Sequence, residues 1–330
     1  MENINVTNVR PDQDPLPDGI FWTPEIERLG KQVAHWVRID VPGATAYGKM
    51  RVGKSFALAY LSETLASLIG YPVEVVVWEI PENAGDSPRE FAQSRMSDSG
   101  YLAISHRDVE VLKARFFGYL AQRCEEKGAR RLVVIVDEAQ HAKRHHLGYL
   151  VEYFNKLTKK GLKPFFLLMG QPELGGGPIR SEGVGRDMQI VGRFRVSQYH
   201  FRGIALGDLE EVLHEFDRPG PDGAPASLTA YLPQAYANGW CIADLAPSLR
   251  EALALVAKQH NLQEDIRVPM QYLRSTVGAY LHHVADTGEN PGLPSSAALI
   301  KCLKESGFLS VLSYYAEPKD EEEGKHEHKQ

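Results

Sequence analysis

Apolar and polar positions alternate along the first two thirds of the chain in a way that predicts an α/β fold. Short runs rich in β-branched and aromatic residues are separated by stretches whose apolar residues recur at helical spacing, which is typical of a parallel sheet flanked by helices. The run at 132–136 is almost entirely apolar, as expected for a strand that is covered on both faces. The five predicted strands are 44–47, 73–78, 132–136, 165–169 and 196–201.

The same pattern predicts two helices within this region. Apolar residues from Phe56 to Ile69 recur at helical spacing and stop before Gly70, a residue that favours a helix C-terminus. A second helix is expected to begin at Ser105, because Asp108 three places later gives that start the form of a capping box. The stretch between the second strand and Ser105 is interpreted as irregular.

Beyond residue 204 the strand pattern fades and helical periodicity takes over. The segments 208–213, 248–260, 269–284 and 295–305 predict a smaller, all-helical lid domain. Polar and proline-rich residues at the start, and charged residues at the end, predict two flexible termini. The predicted organisation is an arm at 1–20, an α/β core at 21–205, a helical lid at 206–315 and a disordered tail at 316–330.

Composition narrows the class of protein. Hydrophobic residues make up 43% of the 330 residues and charged residues 24%, as in ordinary globular proteins. The net charge of -6 does not favour a nucleic-acid binder, although a groove or ring can be locally basic. Three isolated cysteines indicate neither a disulfide framework nor a cysteine zinc site. The sequence shows no secretory signal and no apolar run long enough for a membrane span, so we expect a cytoplasmic protein without membrane partners.

A glycine-bounded loop between the first predicted strand and its helix carries the strongest chemical signal. Residues 48–55 fit the G-x-x-x-x-G-K-[ST] pattern of a phosphate-binding loop, and a chance match would not be expected to fall between a strand and a helix. Backbone N–H groups of such a loop surround phosphate oxygens, and the helix N-terminus adds its dipole. Lys54 is expected to reach the β- and γ-phosphates, and the Ser55 hydroxyl to bind magnesium. The predicted ATP-binding residues here are Gly48, Gly53, Lys54, Ser55 and Phe56.

An acidic pair follows the most apolar predicted strand. Asp137 at the end of that strand is expected to order Mg²⁺ and to complete the nucleotide site. Glu138 beside it is suited to polarise the attacking water as general base. An exposed acidic pair at a strand end is common, but downstream of a phosphate-binding loop the catalytic interpretation is favoured. Water as nucleophile also disfavours a small-molecule kinase.

Two polar elements further along the chain complete the predicted site. Gln171, at the end of the next strand, is the candidate for sensing the γ-phosphate, with a simple turn as the alternative. Arg193, just before the fifth strand, is the candidate for reaching the γ-phosphate of a neighbouring subunit. Arg195 and Arg186 are alternatives for that role, and a solvated basic turn is the competing interpretation.

These four elements, in this order and followed by a helical domain, resemble those of AAA+ ATPases. The residues of the segments 47–55, 137–140 and 170–174 are similar to the motifs of the branch that contains TnsC-type transposition regulators and the MuB and ExeA ATPases. The short N-terminal segment and compact size most resemble the TnsC proteins of CRISPR-associated transposons. The resemblance covers about residues 21–205 and is weak in the predicted lid.

The resemblance implies an activity and a set of partners. Such proteins are Mg²⁺-dependent ATPases that assemble as homo-oligomeric rings or filaments on double-stranded DNA with little sequence preference. They link a target-selection protein complex to the transposase, and hydrolysis controls their disassembly. The family also has a sensor-2 arginine in the lid, for which Arg267 is the candidate, although Pro269 beside it does not suit a helix interior.

Basic residues near one predicted helix are the candidates for DNA contacts. They are Lys143 and Arg144 after the acidic strand, and Lys159 and Lys160 near the next helix end. Contacts of this kind would be made mainly to phosphates and would be strongly salt-dependent. The alternative is a solvated surface in which lysines complement a helix dipole.

Two further expectations follow. His141, His145 and His146 are close in sequence, but no cysteine or carboxylate set completes a tetrahedral site, so no metal other than magnesium is expected. The rival to a DNA-bound transposition ATPase is a nucleotide-switched scaffold or signalling ATPase that never touches DNA, which the negative net charge and acidic tail favour.

Overall fold

The computed structural model describes residues 22–175, 186–219, 232–262, 265–287, 291–292 and 294–317. The predicted arm at 1–20 and nearly all of the predicted tail lie outside these residues. The chain forms two compact units. Of the described residues, those within Ile26–Met50 and Lys54–Phe201 form the first unit, and 22–25, 51–53 and those from Arg202 to Glu317 form the second.

A five-stranded parallel sheet forms the centre of the first unit. Its strand order is β2-β3-β4-β1-β5, so β4 lies between β1 and β3. The five predicted strands are confirmed with small changes at their ends. They are β1 (Gly43–Tyr47), β2 (Val73–Glu79), β3 (Arg131–Asp137), β4 (Lys163–Gly170) and β5 (Gln198–His200).

Helices connect these strands, as the alternating pattern predicts. The predicted helix from Phe56 is α2, and it ends at Gly70, whose φ of 90° is the left-handed conformation that favours glycine. The helices of this part of the chain are α1 (Pro24–Arg38), α2 (Lys54–Ile69), α3 (Pro88–Asp98), α4 (Val109–Glu126), α5 (Arg144–Lys159) and α6 (Arg186–Phe194).

The prediction for residues 79–108 was wrong in two respects. The stretch interpreted as irregular contains α3, which begins with a capping box between Ser87 and Glu90. The helix expected to start at Ser105 is α4, whose N-cap is Asp108, with its carboxylate accepting the N–H of Glu110. The residues before Asp108 are instead tied to α3, where Gln93 Nε2 donates to the carbonyl of Ile104 at 2.9 Å.

The sheet is covered on both faces, as the apolar sequence of β3 predicts. All five residues at 132–136 are fully buried. Leu132, Val134 and Val136 pack into a core cluster with residues of α3, α4 and α5. Successive side chains of a strand point to opposite faces, so Val133 and Ile135 fill the core on the other face. Packing on both faces holds the sheet in place, and with it the loops that follow the strands at its edge.

The second unit is mainly helical, as predicted, but it is not all-helical, since it also contains three short strands. Its strands are β6 (Ile204–Ala205), β7 (Asp265–Val268) and β8 (Ala316–Glu317), which pair antiparallel in the order β6-β7-β8. The first two residues of the predicted tail therefore form a strand. The helices here are α7 (Leu209–Phe216), α8 (Pro233–Ala237), α9 (Ala246–Gln259), α10 (Met270–Thr287), α11 (Ser296–Glu305) and α12 (Leu312–Tyr315).

Membrane-spanning helices were also sought among the described residues. No helix there combines the length and the apolar character that crossing a bilayer requires.

A buried carboxylate at the start of β2 fastens this strand to α4. The Glu74 side chain is fully buried and forms ion pairs with the Arg123 guanidinium and with Lys127 Nζ, the latter at 2.7 Å. Arg123 also donates from Nη1 to the carbonyl of Ser99 at 2.8 Å. Both cations are partly exposed, whereas the carboxylate has no access to water.

Removing the cation of this ion pair should destabilise the protein more than removing the carboxylate charge. Arg123→Met leaves a buried carboxylate with a single partner and is expected to lower the free energy of unfolding by about 3 kcal/mol. Glu74→Gln leaves behind cations that reach water, so we expect a smaller loss of about 1–2 kcal/mol. Urea unfolding measures both. Arg115→Met, on the exposed face of α4, is the matched control, and equal losses in all three variants would contradict this account.

Candidate nucleotide-binding site

The loop between β1 and α2 is held in shape by its neighbours in the sheet. Gly48 donates its N–H to the carbonyl of Gly170 at 3.1 Å, and a Cβ at residue 48 would collide with the carbonyl of Phe201. Glycine is therefore required at this position for close packing, and its N–H is already used. Arg51 and Gly53 have φ values of 63° and 110°, which turn the loop sharply ahead of the helix.

The Lys54 ammonium lies inside this loop. Its Nζ donates to the carbonyls of Gly48 at 2.8 Å and Lys49 at 2.7 Å. Burial lowers the pKa of Lys54, while the charges of Glu138 and Asp137 act in the opposite direction. A cation in a loop of backbone N–H groups at a helix N-terminus is a binding site for anions such as phosphate.

Ser55 and Phe56 form the first turn of α2 directly after Lys54. Both are exposed, Phe56 by 38%. The Ser55 hydroxyl is therefore accessible to a ligand at the helix N-terminus, which the prediction for this residue requires.

The acidic pair stands where β3 ends. Burial is the largest cause that raises the pKa of Asp137, and the charge of Glu138 adds to it. The N–H of Glu138 donates to Asp137 Oδ1 at 2.8 Å, which favours the charged form. A partly buried carboxylate with a raised pKa is stabilised in its ionised form by a cation. Asp137, together with the hydroxyl of Ser55, is thus a donor set of the oxygen type that Mg²⁺ prefers.

Glu138 has a left-handed backbone, with φ of 50° and ψ of 34°. Such a conformation is uncommon for a residue other than glycine and costs about 1–3 kcal/mol, so the surrounding contacts must enforce it. Strain of this kind is often found where a side chain is aimed at a functional site.

Gln140 belongs to the segment 137–140 that carries the resemblance, but the sequence indicated no role for it; the structure places its amide between Glu138 and Gln171. Its Nε2 donates to Glu138 Oε2 at 2.5 Å, and its Oε1 accepts the N–H of Gln171 at 3.1 Å. Its position two residues after Glu138 was the available signal, because a residue so close to an acidic strand end shares its environment. A neutral amide carries no charge pattern that would have indicated this position.

Gln171 stands at the end of β4, the strand between β1 and β3. It caps the short 3₁₀ turn Pro172–Leu174, and its side chain is half-buried. The backbone after Gln171 therefore forms the turn that the alternative interpretation predicts. Its location between the loop after β1 and the acidic pair is also the one expected for a γ-phosphate sensor.

Two more carboxylates at this edge were also missed. Glu173 lies close enough to Lys54 to favour its charged form, and Glu79 at the end of β2 acts on Asp137 in the direction of a higher pKa. The parallel register sets Glu79 opposite Asp137. The sequence signal for Glu79 was its position directly after the apolar run of its strand.

The candidate arginines have contacts within their own chain. Arg193 donates from Nη1 to Asn155 Oδ1 at 2.9 Å and lies over the Phe154 ring at 4.8 Å from its centre. Arg195 donates from Nη2 to the carbonyl of Leu174 at 2.8 Å. Arg186 is the first residue of α6, and its side chain is outside the described part of the structure.

Arg267, the sensor-2 candidate, lies in β7 of the second unit. It is 7% exposed and pairs with Ala205 of β6. Pro269 follows the strand directly and precedes α10, so the proline that did not suit a helix interior stands before a helix begins.

The basic residues predicted to contact DNA do not form one patch. Lys143 and Arg144 stand at the N-terminus of α5, and Lys159 and Lys160 at its C-terminus. A helix of 16 residues is about 24 Å long, so the two pairs are separated by that distance. Lys143 Nζ is 2.7 Å from Asp86 Oδ1, whereas Lys159 and Lys160 are exposed and form no ion pair with a described residue.

Two groups of three potential metal ligands occur among the described residues. His146 of the first group has both ring nitrogens engaged, since Nδ1 accepts the N–H of Lys143 at 3.3 Å and Nε2 faces the carbonyl of Gly85 at 3.1 Å. Burial lowers the pKa of His146, which favours the neutral ring. The ammonium of Lys143 already neutralises Asp86. The groups are Asp86, His145 and His146, and His214, Asp217 and Cys241.

The Asp217 carboxylate of the second group caps a short 3₁₀ turn. It accepts the N–H groups of Ile242 at 2.9 Å and Ala243 at 3.2 Å. Burial raises the pKa of Asp217. These contacts explain the position of the carboxylate without a metal ion.

Comparisons with known proteins agree with this architecture. Residues 44–176 match the family model of the AAA domain. The ORC2 protein of Aeropyrum pernix in its ADPNP–ADP complexes has a similar structure, with a TM-score of 0.52 and 16% identity over 90% of this chain and 72% of that chain. Its ADP form gives a TM-score of 0.50 and 14% identity over 87% and 73%. A comparison with curated proteins finds no match. The chain therefore has the fold of an AAA+ P-loop NTPase, a five-stranded parallel sheet flanked by helices with a helical C-terminal region.

Proposed function

We propose that this chain binds ATP with Mg²⁺ and hydrolyses it to ADP and phosphate. The observation that carries the proposal is the position of the Lys54 ammonium, held in the loop after β1 and within the electrostatic influence of Asp137 and Glu138. A cation that binds phosphate therefore stands beside carboxylates suited to a metal ion and to water. The match to an AAA domain over the same residues supports this assignment.

Each residue has a distinct role in the proposed reaction. Lys54 binds the β- and γ-phosphates and neutralises the charge that develops on the transferred group. Ser55 and Asp137 hold Mg²⁺, which polarises the phosphate oxygens when bound. Glu138 accepts the proton of the attacking water as general base, and Gln171 contacts the γ-phosphate.

Two substitutions separate binding from hydrolysis. Lys54→Ala should weaken ATP binding by about 100-fold or more, because a charge-assisted contact to phosphate is lost. Glu138→Gln should retain binding and lower kcat by about 100- to 10,000-fold, as expected for loss of a general base. Fluorescent-nucleotide titration and phosphate release measure the two steps. The exposed Glu125→Gln is the control, and turnover by Glu138→Gln equal to that of the unchanged protein would refute the general-base role.

We further propose that the active site is completed by a second copy of the chain, with Arg193 as the residue that reaches the neighbouring γ-phosphate. Support comes from its position in the last turn of the sheet-flanking helix α6 and from the AAA+ fold. Arg195 is the alternative, but its guanidinium is bound to the carbonyl of Leu174.

Mixing two inactive variants tests this arrangement. Arg193→Ala and Lys54→Ala should each lower turnover by at least about 1,000-fold for different reasons. In a random equimolar mixture, about one quarter of the head-to-tail interfaces would pair an intact Lys54 with an intact Arg193, and activity should recover in proportion. No recovery in mixtures that form oligomers would show that Arg193 does not act between subunits.

The biological role that we propose is regulation of DNA transposition. In this role the ATP-bound chain oligomerises on double-stranded DNA and links a target-selection complex to a transposase. The resemblance of the segments 47–55, 137–140 and 170–174 to those of transposition regulators supports this role. Of the four candidate DNA-binding cations, Lys159 and Lys160 are favoured, because they are exposed and form no ion pair with any residue in the described ranges.

One observation favours the rival function, a nucleotide-switched scaffold that does not bind DNA. Several basic side chains are neutralised by nearby carboxylates, including Lys143 by Asp86 and Lys113 by Glu110 and Glu152. With a net charge of -6, the far field of the protein repels a polyanion. Only a locally basic surface could overcome that repulsion.

Assembly on plain duplex DNA separates the two functions. With a non-hydrolysable ATP analogue at low salt, sedimentation should reveal DNA-bound oligomers that are absent without nucleotide. Lys159→Glu with Lys160→Glu should weaken this assembly and reduce its salt slope by about 2, since each phosphate contact contributes close to one unit. Lys304→Glu on α11 is the control. Nucleotide-bound oligomers that do not sediment with DNA would support the scaffold function.

A further inference from the structure

Two short hydrogen bonds fix the orientation of the Gln140 side chain, whose Nε2 also lies 3.5 Å from Nε2 of His141. Its Nε2 donates to Glu138 Oε2 at 2.5 Å, and its Oε1 accepts the backbone N–H of Gln171 at 3.1 Å. An amide group donates on one side and accepts on the other, so only one orientation satisfies both neighbours. Turning the amide over would set its oxygen against the carboxylate and its NH₂ against an N–H.

Gly170, at the end of β4, provides the space for this amide. A Cβ at residue 170 would overlap Gln140 Oε1, and its next nearest atoms would be the backbone nitrogen of Gln140 and the side chain of Leu174, both at 3.2 Å. The carbonyl of Gly170 accepts the N–H of Gly48 at 3.1 Å. The strand end that faces Gln140 is therefore also bonded to the phosphate-binding loop.

Glu138 depends on such contacts for its direction. Its left-handed backbone is uncommon for a residue with a side chain, and its N–H is bound to Asp137 Oδ1 at 2.8 Å. Among the described residues, the hydrogen bond found for its carboxylate is the one from Gln140.

We propose that Gln140 is a positioning residue that orients the Glu138 carboxylate and ties it to the end of β4. The proposal deepens the ATP hydrolysis proposed above and rests on it. Through this amide, the backbone of Gln171 and the general base are joined by two consecutive hydrogen bonds. A displacement of the Gln171 backbone is thereby transmitted to Glu138.

An isosteric variant tests the hydrogen bonds without emptying the space. Gln140→Met keeps the length and volume of the side chain and removes its hydrogen bonds to Glu138 and Gln171, together with the weaker contact to His141. We expect kcat to fall about tenfold or more, since small misplacements of a reacting group have large effects on rate. The affinity for ATP, measured by fluorescent-nucleotide titration, should change less than twofold, because Lys54 and its loop are untouched.

A second variant displaces the amide without altering it. Gly170→Ala should push Gln140 Oε1 away and lower kcat by a similar factor, with ATP affinity changed far less than kcat. The double variant Gln140→Met with Gly170→Ala should be no slower than the slower of the two single variants, because both act through one contact. Gly118→Ala in α4 has open space for its methyl group and is the control, with kcat expected to stay the same. Thermal unfolding confirms that each variant is folded.

Three outcomes decide the matter. Low kcat with retained ATP affinity in both single variants, and no further loss in the double variant, supports the proposal. Unchanged kcat in Gln140→Met, or additive losses in the double variant, overturns it. Turnover by Glu138→Gln equal to that of the unchanged protein would instead refute the general base itself, so failure of the underlying function is distinguishable.

Discussion

Parallel pairing of β4 with β1 on one side and β3 on the other is the constraint on which the whole site depends. Tyr47 of β1 stands opposite Gly170, and Val136 of β3 stands opposite Leu168. Parallel strands end at the same edge, so the three loops that follow them meet there. A shift by one residue would turn every side chain of β4 to the opposite face and break the packing on both sides.

The strands that are buried on both faces could be predicted from the sequence, because such burial requires a continuous run of apolar residues. The central strands β3 and β4 are continuous apolar runs, because both of their faces are covered, whereas the edge strand β5 is polar and partly exposed. The phosphate-binding loop was found because its glycines and lysine are required at fixed spacing by the backbone and the ligand together. The order of the strands confirmed that Gln171 would stand between this loop and the acidic pair.

The features that were missed depend on contacts between residues distant in sequence. The sequence of α3 does not indicate a helix with an apolar face, because the buried face includes Arg95, which is 1% exposed and paired with Asp98. Lys143 and Asp86, which form an ion pair, are 57 residues apart in the sequence, so no local pattern predicts their contact. Strands β6, β7 and β8 are two to four residues long, too short to display a period of two.

The self-contacts of Lys54 have a consequence for ligand affinity. Since its ammonium is bonded to the carbonyls of Gly48 and Lys49, contacts within the loop itself hold its shape, and little conformational entropy remains to be lost on binding. An incoming phosphate must instead compete with two carbonyl acceptors, so the exchange gains chiefly from the charge of the new partner. Discrimination between nucleotides at this lysine should therefore follow the charge that each presents, rather than the number of hydrogen bonds that it can accept.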